Sequence, residues 1–213
     1  MKKIYREGDV TVEAVRDVSL AVKGGETVAV MGPSGSGKTT LLSMLGCILK
    51  PTSGDVWIEG HRIDWEKDLS SVRRNAIGFV FQSFNLFSAL TVEENVEVAL
   101  NLRGIRGRGA KQKARDMLKR VGLENRQDFL PRDLSGGQKQ RVSIARALVH
   151  HPPIILADEP TGNLDSKTGH AIIELIRRFA VDENRTVVVV THDSRIADTV
   201  DTVYHLEDGV LRP

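Results

Sequence analysis

The chain has 213 residues, enough for one large domain or a core with a small appended lobe. Its 30 Lys and Arg against 28 Asp and Glu leave a formal charge of +2, interspersed in sign, so no global field points to a nucleic acid. The single cysteine, Cys47, excludes an intrachain disulfide and suits a reducing compartment, and no stretch reaches the ~20 apolar residues of a membrane span.

Met1 to Glu7 turns charged where a signal peptide would turn apolar, so a soluble chain is expected, with any membrane role coming through a partner. Val10 and Val12, then Val18, Leu20 and Val22, alternate with polar residues. That period of two predicts antiparallel strands. Gly24-Gly25 marks a turn into Thr27–Met31, which reads as a buried strand. Gly32-Pro33-Ser34-Gly35-Ser36-Gly37-Lys38-Thr39 follows at once and fits the phosphate-binding pattern G-x-x-x-x-G-K-[ST] without a mismatch. Its glycines let backbone N–H groups turn inward around phosphate oxygens. Lys38 supplies positive charge for the β- and γ-phosphates, and Thr39 a hydroxyl for Mg²⁺. Thr40 opens an apolar helix whose N-terminal N–H groups face the phosphates. Cys47 falls in that apolar run and reads as a packed core thiol.

Pro51-Thr52-Ser53-Gly54 breaks the chain before a second strand pair around Val56-Trp57-Ile58, and Ile77–Phe81 reads as another buried strand. From Ser83 to His150 helical periodicity takes over, as in Ala114, Met117, Leu118 and Val121, which predicts a helical lobe inserted between strands. The basic tract from Arg103 to Lys111 carries no interleaved aromatics and reads as a solvated loop entering a polar helix. Ile154–Ala157 and Thr186–Val190 are two further buried strands around a helix near 168–179. Strand, helix, strand at that spacing implies a parallel sheet with right-handed crossovers.

Ligands of such a sheet lie beyond the C-terminal ends of its strands. The strand at 154–157 ends in Asp158-Glu159. Asp158 is placed to reach Mg²⁺ held by Thr39, and Glu159 to orient and polarise an attacking water. Leu134-Ser135-Gly136-Gly137-Gln138 precedes a clear helix, with Ser135 as N-cap and two glycines leaving N–H groups bare. That would be a second anion receiver in a chain whose first is already assigned, which suggests a grip on another molecule's ATP; a capped helix entry fits the five residues equally well.

Together with Gln82 and His192, these segments resemble, in order and over nearly the whole chain, the ATPase subunit of ABC transporters. The resemblance implies an α/β fold: a RecA-like phosphate-loop core with a parallel sheet, an N-terminal antiparallel β subdomain and an inserted α-helical subdomain. Residues 1–82 and 151–213 would form the core and 83–150 the helical part. It implies that Gln82 contacts Mg²⁺ and senses the membrane partner, that His192 contacts the γ-phosphate, and that Tyr5 stacks on adenine. Leu134, Ser135, Gly136, Gly137 and Gln138 would meet the ATP of an opposing protomer, and Asn163, Leu164 and Asp165 would cross the dimer interface. A homodimer closing on two ATP would drive a separate permease at the inner face of the cell membrane. Leu45–Gly54 and Leu156–Asp165 look like the macrolide-exporter and lipoprotein-releasing group, with a cell-division ATPase as a close relative and alternative role. A GTPase is disfavoured because no N-K-x-D base-reading motif occurs. A DNA-repair or ribosome-associated relative would need a long coiled coil or second cassette, and a non-hydrolysing binding module is at odds with an intact Glu159.

Overall fold

In the computed structural model, which describes residues 1–212, the valine run at 187–190 is buried along its whole length. Val187 and Val189 face one core cluster, and Val188 and Val190 the other. A strand buried on both faces reads as a continuous apolar run, which is why these segments showed no alternation.

In chain order, strands β1 (Lys3–Glu7) and β2 (Val10–Val15) form an antiparallel hairpin. Strand β3 (Thr27–Met31) leads through the phosphate loop into helix α1 (Lys38–Leu45). Strands β4 (Trp57–Ile58) and β5 (His61–Arg62) make a short hairpin, followed by helix α2 (Ser70–Ala76) and strand β6 (Ile77–Phe81). Helices α3 (Val92–Asn101), α4 (Arg108–Arg120) and α5 (Gly136–Leu148) come next. Strand β7 (Ile154–Asp158), helix α6 (Ser166–Asp182) and strands β8 (Thr186–Thr191), β9 (Thr202–Glu207) and β10 (Val210–Arg212) complete the chain.

The main sheet has the order β10-β9-β3-β8-β7-β6, parallel except for β10. One face packs against α5 and α6 through Val142, Leu148, Ile172 and Phe179. The other packs against α1 through Leu41 and Met44. Neighbouring β3, β8 and β7 therefore deliver Met31, Thr191 and Asp158 to one edge of the sheet.

Three features depart from the expectation or lie beyond it. The alternation at Val18, Leu20 and Val22 forms no strand. These side chains line the core beneath α1, and Val18 exchanges backbone bonds with Met1 instead of joining a ladder. Helix α2 and the β9–β10 hairpin carry no motif and were not anticipated. The helical stretch begins at Val92, after a loop over 82–91 held by the buried Asn95, which donates to Phe87 O, Leu90 O and Thr91 O and accepts from Phe87 N. Cys47 is buried as expected. No helix among the described residues is long and apolar enough to cross a membrane.

His150, just after α5, has both ring nitrogens shut away without a hydrogen-bond partner among the described residues. Burial, aided by the Arg103 and Arg185 charges, brings its pKa down from 6.5 to about 4. Between those two values the unfolded chain takes up a proton that the native chain refuses. Stability is therefore complete above pH 6.5 and falls as the pH drops toward about 4, by roughly 2–3 kcal/mol. Thermal melts across that window are expected to show the slope in the wild type and to lose most of it in His150→Gln. An unchanged slope in the variant would assign the loss to other groups.

Candidate functional site

Helix α1 begins without a side-chain cap or an acid in its first turn, so its leading N–H groups point at open space. The loop before it is shaped by close approach. A Cβ at Gly32 would lie 2.1 Å from the carbonyl oxygen of Leu206, and one at Gly37 (φ +102°) 2.1 Å from that of Ala14. Lys38 is only 6% exposed, and its ammonium donates to Gly32 O at 2.7 Å and Pro33 O at 2.9 Å. The loop thus curls around a fixed positive charge.

A cleft of about 600 Å³ opens there, lined by Pro33, Ser34, Gly35, Lys38, Thr39, Thr40, Gln82, Glu159 and His192, with Ala14 at its wall. Thr39 Oγ1 donates to Asp158 Oδ1 at 3.1 Å. Burial pushes the Asp158 carboxyl above its ordinary pKa, against the pull of the Thr39 bond. Glu159 has a left-handed backbone (φ +45°), held by its N–H to Val190 O. Its Oε2 accepts from Thr191 Oγ1 at 3.0 Å and from the His192 N–H at 3.2 Å, and lies 2.9 Å from His192 Nδ1. Its Oε1 is 3.7 Å from the Lys38 ammonium. The carboxylate is anchored by the last residue of β8 and the first residue beyond it.

Gln82 is tied to the next segment, with Asn163 Nδ2 donating to Gln82 O at 3.0 Å. A Cβ at Gly162 would collide with the Gln82 amide at 2.6 Å. Tyr5 stands at the edge of the site, 43% exposed, its hydroxyl 3.5 Å from Thr40 Oγ1.

Leu134, Ser135, Gly136, Gly137 and Gln138 do not line this cleft. Ser135 caps α5 as expected, accepting from Gln138 N while Gln138 Oε1 accepts from Ser135 N. Gly136 lies against Leu164, and a Cβ at Gly137 would come 2.4 Å from the Thr168 methyl. Gly137 is thus required by packing on α6. Asn163, Leu164 and Asp165 run alongside, and Asp165 caps α6 by accepting from Thr168 N. The structure therefore gathers Pro33–Gly35, Gly37–Thr40, Gln82, Glu159 and His192 at one cleft, with Asp158 bonded to Thr39 beside it, and sets 134–138 beside 163–165 outside its lining. Sequence reasoning missed Ala14, Thr161, Thr191, Asp193 and Arg195. The available signal was that Thr191, His192 and Asp193 follow an apolar strand without a gap.

The sequence profile of the family described as "ABC transporter" matches residues 15–162. The chain belongs to the ABC transporter family. This cassette is 48% identical over 213 residues to an uncharacterized ABC transporter ATP-binding protein, MJ0796, of Methanocaldococcus jannaschii, covering 97% of this chain and 91% of that protein. A solved structure of MJ0796, a dimer in a post-hydrolysis state bound to ADP and Pi, superposes with a TM-score of 0.92 at 44% identity, covering 100% of this chain and 94% of that one. The lipoprotein-releasing system ATP-binding protein LolD of Legionella pneumophila is 45% identical over 213 residues, 98% of this cassette and 93% of LolD. The macrolide export ATP-binding/permease protein MacB of Bartonella quintana is 42% identical over 209 residues, which cover 97% of this cassette but 32% of MacB. The expected α/β cassette fold and the likeness to the macrolide-exporter and lipoprotein-releasing group are both borne out.

Proposed function

We propose that this cassette binds ATP with Mg²⁺, hydrolyses it, and works as a homodimer that drives a separate permease from the inner face of the membrane. The observation that carries this reading is the convergence of Lys38, Thr39, Gln82, Asp158, Glu159 and His192 on one cleft. Lys38 and the N–H groups of Gly35, Gly37 and α1 would hold the β- and γ-phosphates. Tyr5, exposed beside Thr40, would stack on the adenine.

The metal fits the residues present. Thr39 Oγ1, the Asp158 carboxylate and the Gln82 amide oxygen form the hard-oxygen set that Mg²⁺ selects, and a cation would relieve the cost of the half-buried Asp158 charge. When bound, Mg²⁺ would neutralise charge on the β- and γ-phosphates. Glu159, held in place by Thr191 and the His192 backbone, would take the proton of the attacking water. His192 would contact the γ-phosphate while its ring stays against Glu159.

The 83–150 segment acts in this reading as the helical subdomain, and 1–82 with 151–213 as the core. Leu134–Gln138 lie outside the cleft of their own chain and adjacent to Asn163–Asp165. That arrangement suits a surface offered to a second copy, where Ser135, Gly137 and Gln138 would bind the opposing γ-phosphate. The dimer of MJ0796 holding ADP and Pi supports it, and the permease part named in MacB, whose length extends beyond the matched region, supports a permease partner. Ser135→Arg is expected to keep ATP binding by the monomer and to lose ATP-dependent dimerisation, measured by light scattering with ATP. Dimerisation equal to the wild type would reject the contact across the pair.

A further inference from the structure

Beyond the cleft, a chain of polar contacts runs from the Glu159 carboxylate to the loop at 162–165. Thr191 is fully buried, and its hydroxyl donates to Glu159 Oε2 at 3.0 Å while accepting the Asp193 N–H at 3.0 Å. The Asp193 carboxylate accepts four bonds from two residues. It accepts Arg195 Nε at 2.7 Å and Nη2 at 2.6 Å in a two-pronged pair, the Arg195 N–H at 3.1 Å, and the hydroxyl of the buried Thr161 at 3.1 Å. The remaining arm of the guanidinium, Nη1, donates to Ser166 O at 3.1 Å. Thr161 and Ser166 bracket the loop 162–165 on either side. The segment that carries His192 is therefore fastened to both ends of that loop by one Asp–Arg pair.

We infer that Asp193 and Arg195 are positioning residues for hydrolysis: they hold the 162–165 loop and the Glu159–His192 pair as one rigid unit, so that the carboxylate is aligned only while the loop is seated. This rests on the reading of Glu159 as base and of 162–165 as an interface loop. The physical case is geometric. A planar fork with two bonds to one carboxylate and a third to a backbone carbonyl has no rotational slack. Thr161, the other anchor, is buried at 4% exposure. A shift of about 1 Å in a catalytic group lowers a rate by roughly a hundred-fold, so rigid coupling to the loop would make turnover sensitive to whatever moves it.

The test measures steady-state ATP hydrolysis and ATP-driven dimerisation of the full chain for Arg195→Ala, Arg195→Lys, Thr161→Val and the Arg195→Ala/Thr161→Val double variant. Arg195→Ala is expected to lower kcat by about ten-fold or more, with KM for ATP and dimerisation within about two-fold of the wild type. Arg195→Lys, which keeps the charge and loses the fork, is expected to fall with it. Thr161→Val, a change of one hydroxyl for a methyl, should lower kcat several-fold, and the double variant should be no worse than Arg195→Ala alone because both cut the same connection. Wild-type kcat in Arg195→Ala and Thr161→Val would overturn the inference, as would strictly additive losses or a KM that rises in step with the fall in kcat. If Arg195→Ala does not fold, Thr161→Val decides the matter. A failure of the base assignment is read separately, from Glu159→Gln turning over at the wild-type rate.

Discussion

Glu159→Gln is expected to lower ATP turnover by roughly 10²–10⁴-fold, the usual contribution of a general base, while ATP stays bound. The replacement is isosteric. Its amide oxygen can still accept from Thr191 Oγ1 and the His192 N–H, the two bonds that now fix Oε2. The proton acceptor alone is lost. With the γ-phosphate intact, the pair of cassettes has no reason to separate, so the dimer should accumulate with ATP and dissolve when nucleotide is removed. Gel filtration with and without ATP, beside a phosphate-release assay, reads both effects. Turnover within about two-fold of the wild type would remove Glu159 from the reaction.

Lys38→Ala is expected to cost the cassette its nucleotide. The ammonium is buried at the base of the loop and already directed by Gly32 O and Pro33 O toward the cleft. Two charge-assisted bonds to phosphate oxygens, at about 1.5–3 kcal/mol each, correspond to a loss of roughly 10²–10⁴-fold in affinity. Titration with a fluorescent ATP analogue measures it directly. A dissociation constant close to that of the wild type would mean that backbone N–H groups carry the binding alone. The two variants separate the functions of the site: Lys38→Ala should neither bind nor dimerise, and Glu159→Gln should do both without turning over.

The parts of this architecture legible in the sequence are those where one physical demand acts alone. Strands β3, β6, β7 and β8 are sandwiched between helix layers, so each is an uninterrupted apolar run. The phosphate loop is legible because its glycines answer a local steric need, set by Leu206 O and Ala14 O. The segment Val18–Val22 misled because burial against α1 and edge pairing leave the same alternating imprint. Helix α2 is short, and β9 carries a mixed polar face, so neither has a period strong enough to stand out. The Asp193–Arg195 pair was invisible for a different reason. Its partners, Thr161 and Ser166, lie about 30 positions away, and only the side-by-side placement of β7 and β8 brings them together. The capping role of Ser135 was legible, and so was the anion-receiving alternative; the fold shows that Gly137 answers to Thr168 whichever of these holds.

The hairpin of β9 and β10 has a consequence for the order of events at birth. Leu206 O backs Gly32, the Gly209 N–H donates to Ser36 O, and Gly209 O accepts from Arg16 N. A nascent chain would expose the glycine-rich stretch early, yet that stretch lacks its backing until some 170 further residues have been made, since β3 is flanked by β8 and β9. Contacts so distant along the chain form late. The walls of the glycine-rich loop are thus completed by strands made long after it, and a chain halted before the β9–β10 hairpin would lack the backing of Gly32 and Ser36.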